Sequence, residues 1–197
     1  VKLAYGLAIA GLDRDPPIPP QPTGTEIPVE LREEFRSARL LSVAAGTAQV
    51  FLVALINPLA GVFLALDSYH IRYTSEIMLE AIPGFFAVLA VVLFGIAWRR
   101  DQSGGFQPQR FILMTSAVFL GLATSGKYIY ALVALAIVLP LVARARSFWT
   151  PAGYIALSLA TFFVSNPSLW SDPASAIAGF LSFHANYSAD NAQPWWH

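Results

Sequence analysis

The chain has 197 residues, of which 56% are hydrophobic and only 12% charged, and its formal net charge is zero. A soluble domain of this length cannot hide so much apolar surface, because its surface-to-volume ratio is too high; a lipid bilayer removes the difficulty. Zero net charge gives no basis for nucleic-acid binding. The absence of cysteine excludes a disulfide framework, a thiol nucleophile and a thiolate metal site, and His70, His184 and His197 lack the i, i+4 spacing of a helical zinc site.

In chain order, residues 1–12 read as a short apolar helix, too short to span a membrane. Residues 13–34 carry six of the twelve acids and a run of prolines (Pro16, Pro17, Pro19, Pro20, Pro22), the composition of a water-exposed loop. Charges then become sparse. Residues 40–66, 81–98, 111–126, 128–143 and 147–171 have none, and each run approaches or falls somewhat short of the roughly 17–25 apolar residues of a membrane helix. Backbone facing lipid must satisfy its own hydrogen bonds, so these runs are expected to be helices. A helix is predicted over about 36–56, ended by the turn dipeptide Asn57-Pro58. A second apolar run starts at Leu59 and becomes polar at Asp67. Further helices are predicted at about 79–98, 111–125, 128–143 and 150–165, with a loop over 101–110 and a break at Gly126-Lys127. From Asn166 the chain turns polar and aromatic and is expected to leave the membrane.

The expected architecture is therefore all-α: a polytopic bundle of about five or six membrane helices over 36–165. Residues 1–35 form an outer-side loop with a short interfacial helix, and 166–197 open another outer-side loop. No Met or signal peptide opens the chain, and it stops at Pro194-Trp195-Trp196-His197, so a longer protein is expected to continue at both ends. Orientation follows from the positive-inside rule. Arg99, Arg100 and Arg110 share one short loop, and Arg144 and Arg146 another; both are expected in the cytoplasm. Glu80, Lys127, the acidic loop and the tail then fall on the outer side, against the weaker opposing signal of Arg32, Arg36 and Arg39.

Three places carry candidate chemistry. In Asp67 to Glu80, a helix would put Arg72, Glu76 and Glu80 four apart on one face. Ionisable groups at membrane depth usually face a cavity or a partner. Arg72 has the planar fork that binds phosphate, and Glu80 is placed to orient a hydroxyl or a metal. The plain alternative is an interfacial segment whose charges reach water. Lys127, the only charge between Arg110 and Arg144, is either a cation for a phosphate leaving group or a lysine reaching out to the interface. In the tail, Trp170 and His184 are candidates to line a substrate groove, although Trp and Tyr also anchor at membrane interfaces without binding anything. Asn186-Tyr187-Ser188 fits a glycosylation triplet, a weak signal. Asp67, Glu76 and Glu80 supply the oxygen donors a divalent cation takes, but nothing in the pattern requires a metal or another cofactor.

These residues resemble the membrane glycosyltransferases of the GT-C superfamily, and most closely glycosyltransferase family 39, the dolichyl-phosphate-mannose protein mannosyltransferase type, with its bacterial relatives. Val1-Lys2-Leu3 looks like the end of that family's His-Pro-Pro-Leu-x-Lys-Leu segment. His70 to Phe86 is similar to its Arg-x-x-x-Leu-Asp/Glu pattern and following apolar helix. Gly121-Leu122-Ala123-Thr124-Ser125-Gly126-Lys127-Tyr128 is similar to its Gly-Leu-Ala-x-x-x-Lys-Tyr/Trp segment, and Asn166 to Ser188 is similar to the corresponding tail of bacterial members.

The resemblance implies an inverting transfer of a sugar from a polyprenyl-phosphate donor to an acceptor hydroxyl at the outer face, in a multi-pass protein of a bacterial inner membrane. The partners it implies are membrane lipid, the lipid-linked sugar donor and an acceptor of unknown kind. Lys127 and Arg72 would serve the phosphate, and Glu80 is the catalytic candidate, a second-site acid. The family's main base would precede Val1, so the piece alone is expected to be inactive. The spacing departs from the family: Arg72 and Glu80 are eight residues apart rather than about five, and Glu76 stands near the family's arginine position. Two other classes compete: a transporter or permease fragment with a midplane polar site, for which an inverted repeat is expected but not visible, and a non-catalytic membrane subunit whose charges hold partner helices.

Overall fold

Helix punctuation in this chain is local and explicit. In the computed structural model, which describes residues 32–75, 80–101, 107–144 and 148–190, every regular element is helical. The first, α1 (Arg32–Ile56), ends where Asn57 leaves helical geometry. The Asn57 side-chain oxygen accepts from the backbone N–H groups of Leu59 and Ala60 at 3.0 and 3.3 Å, and Pro58 occupies the first position of α2 (Pro58–Leu66), where its missing N–H costs nothing. Asp67 repeats the device for α3 (Ser68–Ser75), accepting from the His70 N–H at 3.0 Å.

The two short helices return along α1. A Cβ on Gly61 would lie 2.5 Å from the Ala54 Cβ, and one on Gly46 only 2.4 Å from the Thr74 Cβ. Glycine at both positions is therefore what allows α2 and α3 to lie against α1. The imidazole Nε2 of His70 is 3.2 Å from the Gly46 carbonyl oxygen, and the Arg39 guanidinium donates to the Ser75 carbonyl at 3.3 Å.

The core is built by α4 (Ala81–Asp101), α5 (Gln107–Gly126) and α7 (Trp149–Val164). Helices α4 and α5 are antiparallel: Phe86 stacks on Phe119, and Ser116 donates to the Ala90 carbonyl at 2.8 Å. Buried Ala87, Ala90, Ala97, Ala117 and Ala123 leave room for the close approach. Helix α7 runs parallel to α5. The Tyr154 hydroxyl shares a hydrogen bond with Ser116 at 2.9 Å, Ser158 donates to the Ala117 carbonyl at 3.0 Å, and Gly121 sits directly on the α7 backbone. Between α5 and α7, a 3-10 turn (Tyr128–Ala131) leads into α6 (Leu132–Arg144), which adds Ile137 and Leu141 to the core.

The expected boundaries of 36–56, 79–98, 111–125, 128–143 and 150–165 agree with these helices to within a turn or so. The region after Asn166 differs. A 3-10 turn (Pro167–Leu169) is followed by an eighteen-residue helix, α8 (Pro173–Asp190), within the stretch expected to open an outer-side loop, for which no helix is predicted. Its start signal is visible once sought: the Asp172 carboxylate accepts from the Ser175 N–H at 3.0 Å, and Pro173 follows at the first helical position. The outer-side loop with an interfacial helix expected over 1–35 lies outside the described residues except for the first turn of α1.

Among the described residues, two helices are by length and composition able to cross a membrane, Arg36–Ile56 and Ala81–Arg99. Arg110–Gly126, Tyr128–Ala143 and Trp149–Val164 are apolar but shorter. The first of the two long helices buries only 17% of its apolar stretch against the rest of the protein, the second 44%. Most of the apolar surface of α1 therefore faces outward.

Candidate functional site

The antiparallel pairing of α4 and α5 brings the residue before α4 and the residue after α5 to the same end of the bundle. These residues are Glu80 and Lys127, and their side chains form an ion pair in which the Lys127 ammonium donates to a Glu80 carboxylate oxygen. The pairing suits both helices. A carboxylate beside the N-terminus of α4 and an ammonium beyond the C-terminus of α5 each oppose the local end of a helix dipole. The pair is half-buried, with 41% of the lysine and 31% of the glutamate side chain exposed, so a ligand in solvent or lipid has access to it. The hydrogen bond to Glu80 raises the Lys127 pKa above its ordinary value of 10.5, with burial acting the other way. Lys127 is a cation throughout the neutral range.

A second layer of polar atoms lies just below, around Gly84. A Cβ at this glycine would meet the Tyr130 hydroxyl at 3.1 Å and the Gln49 amide oxygen at 3.2 Å. The Gln49 side chain is buried and its amide nitrogen donates to the Ala81 carbonyl at 2.8 Å, tying α1 to the first turn of α4. Neither Gln49 nor Tyr130 is among the candidates drawn from the sequence. A signal existed for each: Gln49 is the one side-chain amide inside the uncharged run of α1, and Tyr130 follows Lys127 by three residues.

The other sequence candidates are placed as follows. Arg72 lies on α3 with an exposed side chain. Glu76 lies outside the described residues. Glu80 stands in a turn just before α4, and the helical face expected to join Arg72, Glu76 and Glu80 runs through residues 76–79, outside the described residues. Trp170 is exposed, and its indole N–H donates at 3.0 Å to the Phe163 carbonyl in the last turn of α7, an oxygen that also accepts from the Asn166 backbone N–H. Since α7 runs parallel to α5, that end of α7 is also the Lys127 end of the bundle. His184 falls on α8. Asp67, offered with Glu76 and Glu80 as an oxygen donor for a divalent cation, caps α3. Among the described residues no group of three His, Asp or Glu side chains converges as a metal site requires.

The Gly121 to Tyr128 segment separates into two parts. Gly121 is a packing residue, because a Cβ there would lie 2.5 Å from the Ser158 carbonyl oxygen. Lys127 is the part with chemistry: a fixed, protonated donor at the rim of an apolar bundle, next to a carboxylate. No family model, curated protein or solved structure matches this chain.

Proposed function

We propose that the chain is a membrane-embedded bundle that binds the phosphate of a lipid-linked sugar and takes part in transferring that sugar to an acceptor hydroxyl. The single observation behind this reading is the Glu80–Lys127 pair at the common end of α4 and α5. Membrane placement is supported by the two long apolar helices and by large outward side chains on α1 and α2, including Phe51, Leu55, Val62, Phe63 and Leu66. Polar backbone and charge are gathered at the helix ends, where a bilayer tolerates them.

In such a transfer the acceptor oxygen forms a bond to the sugar carbon as the bond from that carbon to the phosphate oxygen breaks. The electron pair passes to the phosphate, and charge develops where a fixed cation stabilises it most. Lys127 fits this role because it stays protonated and its ammonium carries three donors, so it can meet a phosphate oxygen while still bonded to Glu80. Glu80 acts as a positioning residue that holds the ammonium in place. The acceptor proton must go to a carboxylate base, and none of the described residues is assigned to it. Multi-pass topology, a GT-C type of fold and a bacterial inner-membrane location belong to this same reading, as does Arg72 as a second phosphate ligand.

The test is binding of a polyprenyl phosphate, compared with the matching polyprenol, to the chain in phosphatidylcholine nanodiscs. Wild type should prefer the phosphate. Lys127→Met should lose about 1.5–3 kcal/mol of that binding, roughly ten- to a hundred-fold, as expected for a hydrogen bond to a charged group. Glu80→Gln should retain the preference, because the ammonium remains. Equal binding of phosphate and alcohol by wild type would end the proposal. If both substitutions instead cause loss of folded protein, the pair is an interhelical staple of a non-catalytic subunit.

A further inference from the structure

We infer that Gly84 is a positioning residue for the Glu80–Lys127 pair: its missing side chain lets Tyr130 seat against α4, and this sets the turn that carries Lys127. The binding consequence rests on the phosphate reading above, while the geometric consequence does not. Gly84 lies one helical turn after Glu80, and its N–H donates to the Glu80 carbonyl at 2.9 Å, so the two residues share the first turn of α4. On the other side of the pair, Lys127 and Tyr130 are joined by one bond of the 3-10 turn, from the Tyr130 N–H to the Lys127 carbonyl at 3.1 Å. The backbone of the carboxylate and the backbone of the ammonium are thus each one hydrogen bond from a residue at the Gly84–Tyr130 contact.

That contact is tight, so a neighbour must give by a few tenths of an ångström if a methyl group is added. Gly84 is buried, and a methyl group there would come within 3.1 Å of the Tyr130 hydroxyl and 3.2 Å of the Gln49 amide oxygen. Gln49 is not free to move aside, because its amide nitrogen is held by the Ala81 carbonyl. The Tyr130 end is the one that gives, and because Tyr130 and Lys127 share the 3-10 turn, the inferred consequence is a small shift of Lys127 relative to Glu80. Gly84 has no unusual backbone geometry to provide. Alanine is the better helix former by about 1 kcal/mol, so glycine here is explained by the contact and not by the helix.

The experiment uses the whole chain in phosphatidylcholine nanodiscs with two readouts. The first is zero-length carbodiimide coupling of the Glu80 carboxylate to the Lys127 amine, quantified by mass spectrometry, which requires no donor. The second is polyprenyl phosphate binding. Gly84→Ala should lower the coupling yield several-fold and weaken phosphate binding by a similar factor, with the chain still folded. Tyr130→Phe alone should stay within about two-fold of wild type, because the ring remains. The double variant Gly84→Ala/Tyr130→Phe should recover most of the coupling, since the atom nearest the new methyl is gone. Wild-type coupling in Gly84→Ala, or no recovery in the double variant, overturns the inference. If coupling follows this pattern but wild type shows no preference for phosphate, the positioning role stands and the phosphate reading falls.

Discussion

At the residue scale, Glu80 and Lys127 each have a plain reading in the sequence as an interfacial charge. With the two placed together, the carboxylate holds the lysine's proton in a way that can be measured. The hydrogen bond from Glu80 holds the Lys127 proton more tightly in the folded protein than in the unfolded chain, raising the pKa above 10.5. A group with a raised folded pKa contributes its full stabilisation below the unfolded value and loses it as pH climbs through the folded value. The contribution of the pair should therefore be constant through neutral pH and disappear only on the alkaline side of 10.5. Melting curves of wild type and Lys127→Met should differ by a constant amount up to that range and then converge. Convergence near neutral pH would show that the lysine is not held as described. How much of the site could be read from the sequence is also decided at this scale. Lys127 and Glu80 stand out as isolated charges beside apolar runs, whereas Gln49 and Tyr130 are uncharged and leave no comparable trace in composition.

At the element scale, the packing of α5 on α7 depends on backbone approach at one glycine. A Cβ at Gly121 would meet the Ser158 carbonyl oxygen at 2.5 Å and the Thr161 Cβ at 2.7 Å, and a carbonyl within a helix cannot step aside. Gly121→Ala should cost about 1–3 kcal/mol, the usual range for overpacking a tight contact. Gly95 on α4 is the internal control, because a Cβ there meets nothing within 4 Å. Gly95→Ala should be neutral or stabilise by about 0.5–1 kcal/mol through helix propensity. Denaturation of both variants in the same detergent checks this, and equal effects would mean that the two glycines do not differ in packing. The helix starts and stops were legible, because Asn57-Pro58, Asp67 and Gly126-Lys127 act on their immediate neighbours. Helix α8 is harder to read, because its start rests on the single Asp172-Pro173 pair within a polar, aromatic stretch.

At the scale of the whole molecule, antiparallel α4 and α5 separate two kinds of charge. Arg99 and Arg110 lie at one end of the pair, and Glu80 and Lys127 at the other. If the bundle sits in a membrane under the positive-inside rule, the arginine end faces the cytoplasm and the site faces out. The chain has no cysteine, so single cysteines can be introduced without background. In intact cells, Tyr128→Cys should react with a membrane-impermeant maleimide, whereas Arg110→Cys should react only after lysis. The reverse pattern would put the site on the cytoplasmic side and remove the outer-face part of the proposed function.

By itself, the sequence determined that the chain is helical, that its helices are apolar, and where most of them begin and end. Those properties follow from hydrophobic content, charge-free runs and caps that act within a few residues. Only the tertiary structure decided that Glu80 meets Lys127 across 47 positions of sequence, that Gly84 admits Tyr130 and Gln49, and that Gly121 and Gly46 are contact points rather than flexible ones. These are long-range approaches set by which faces of which helices pack together, and no periodicity within a single segment encodes them.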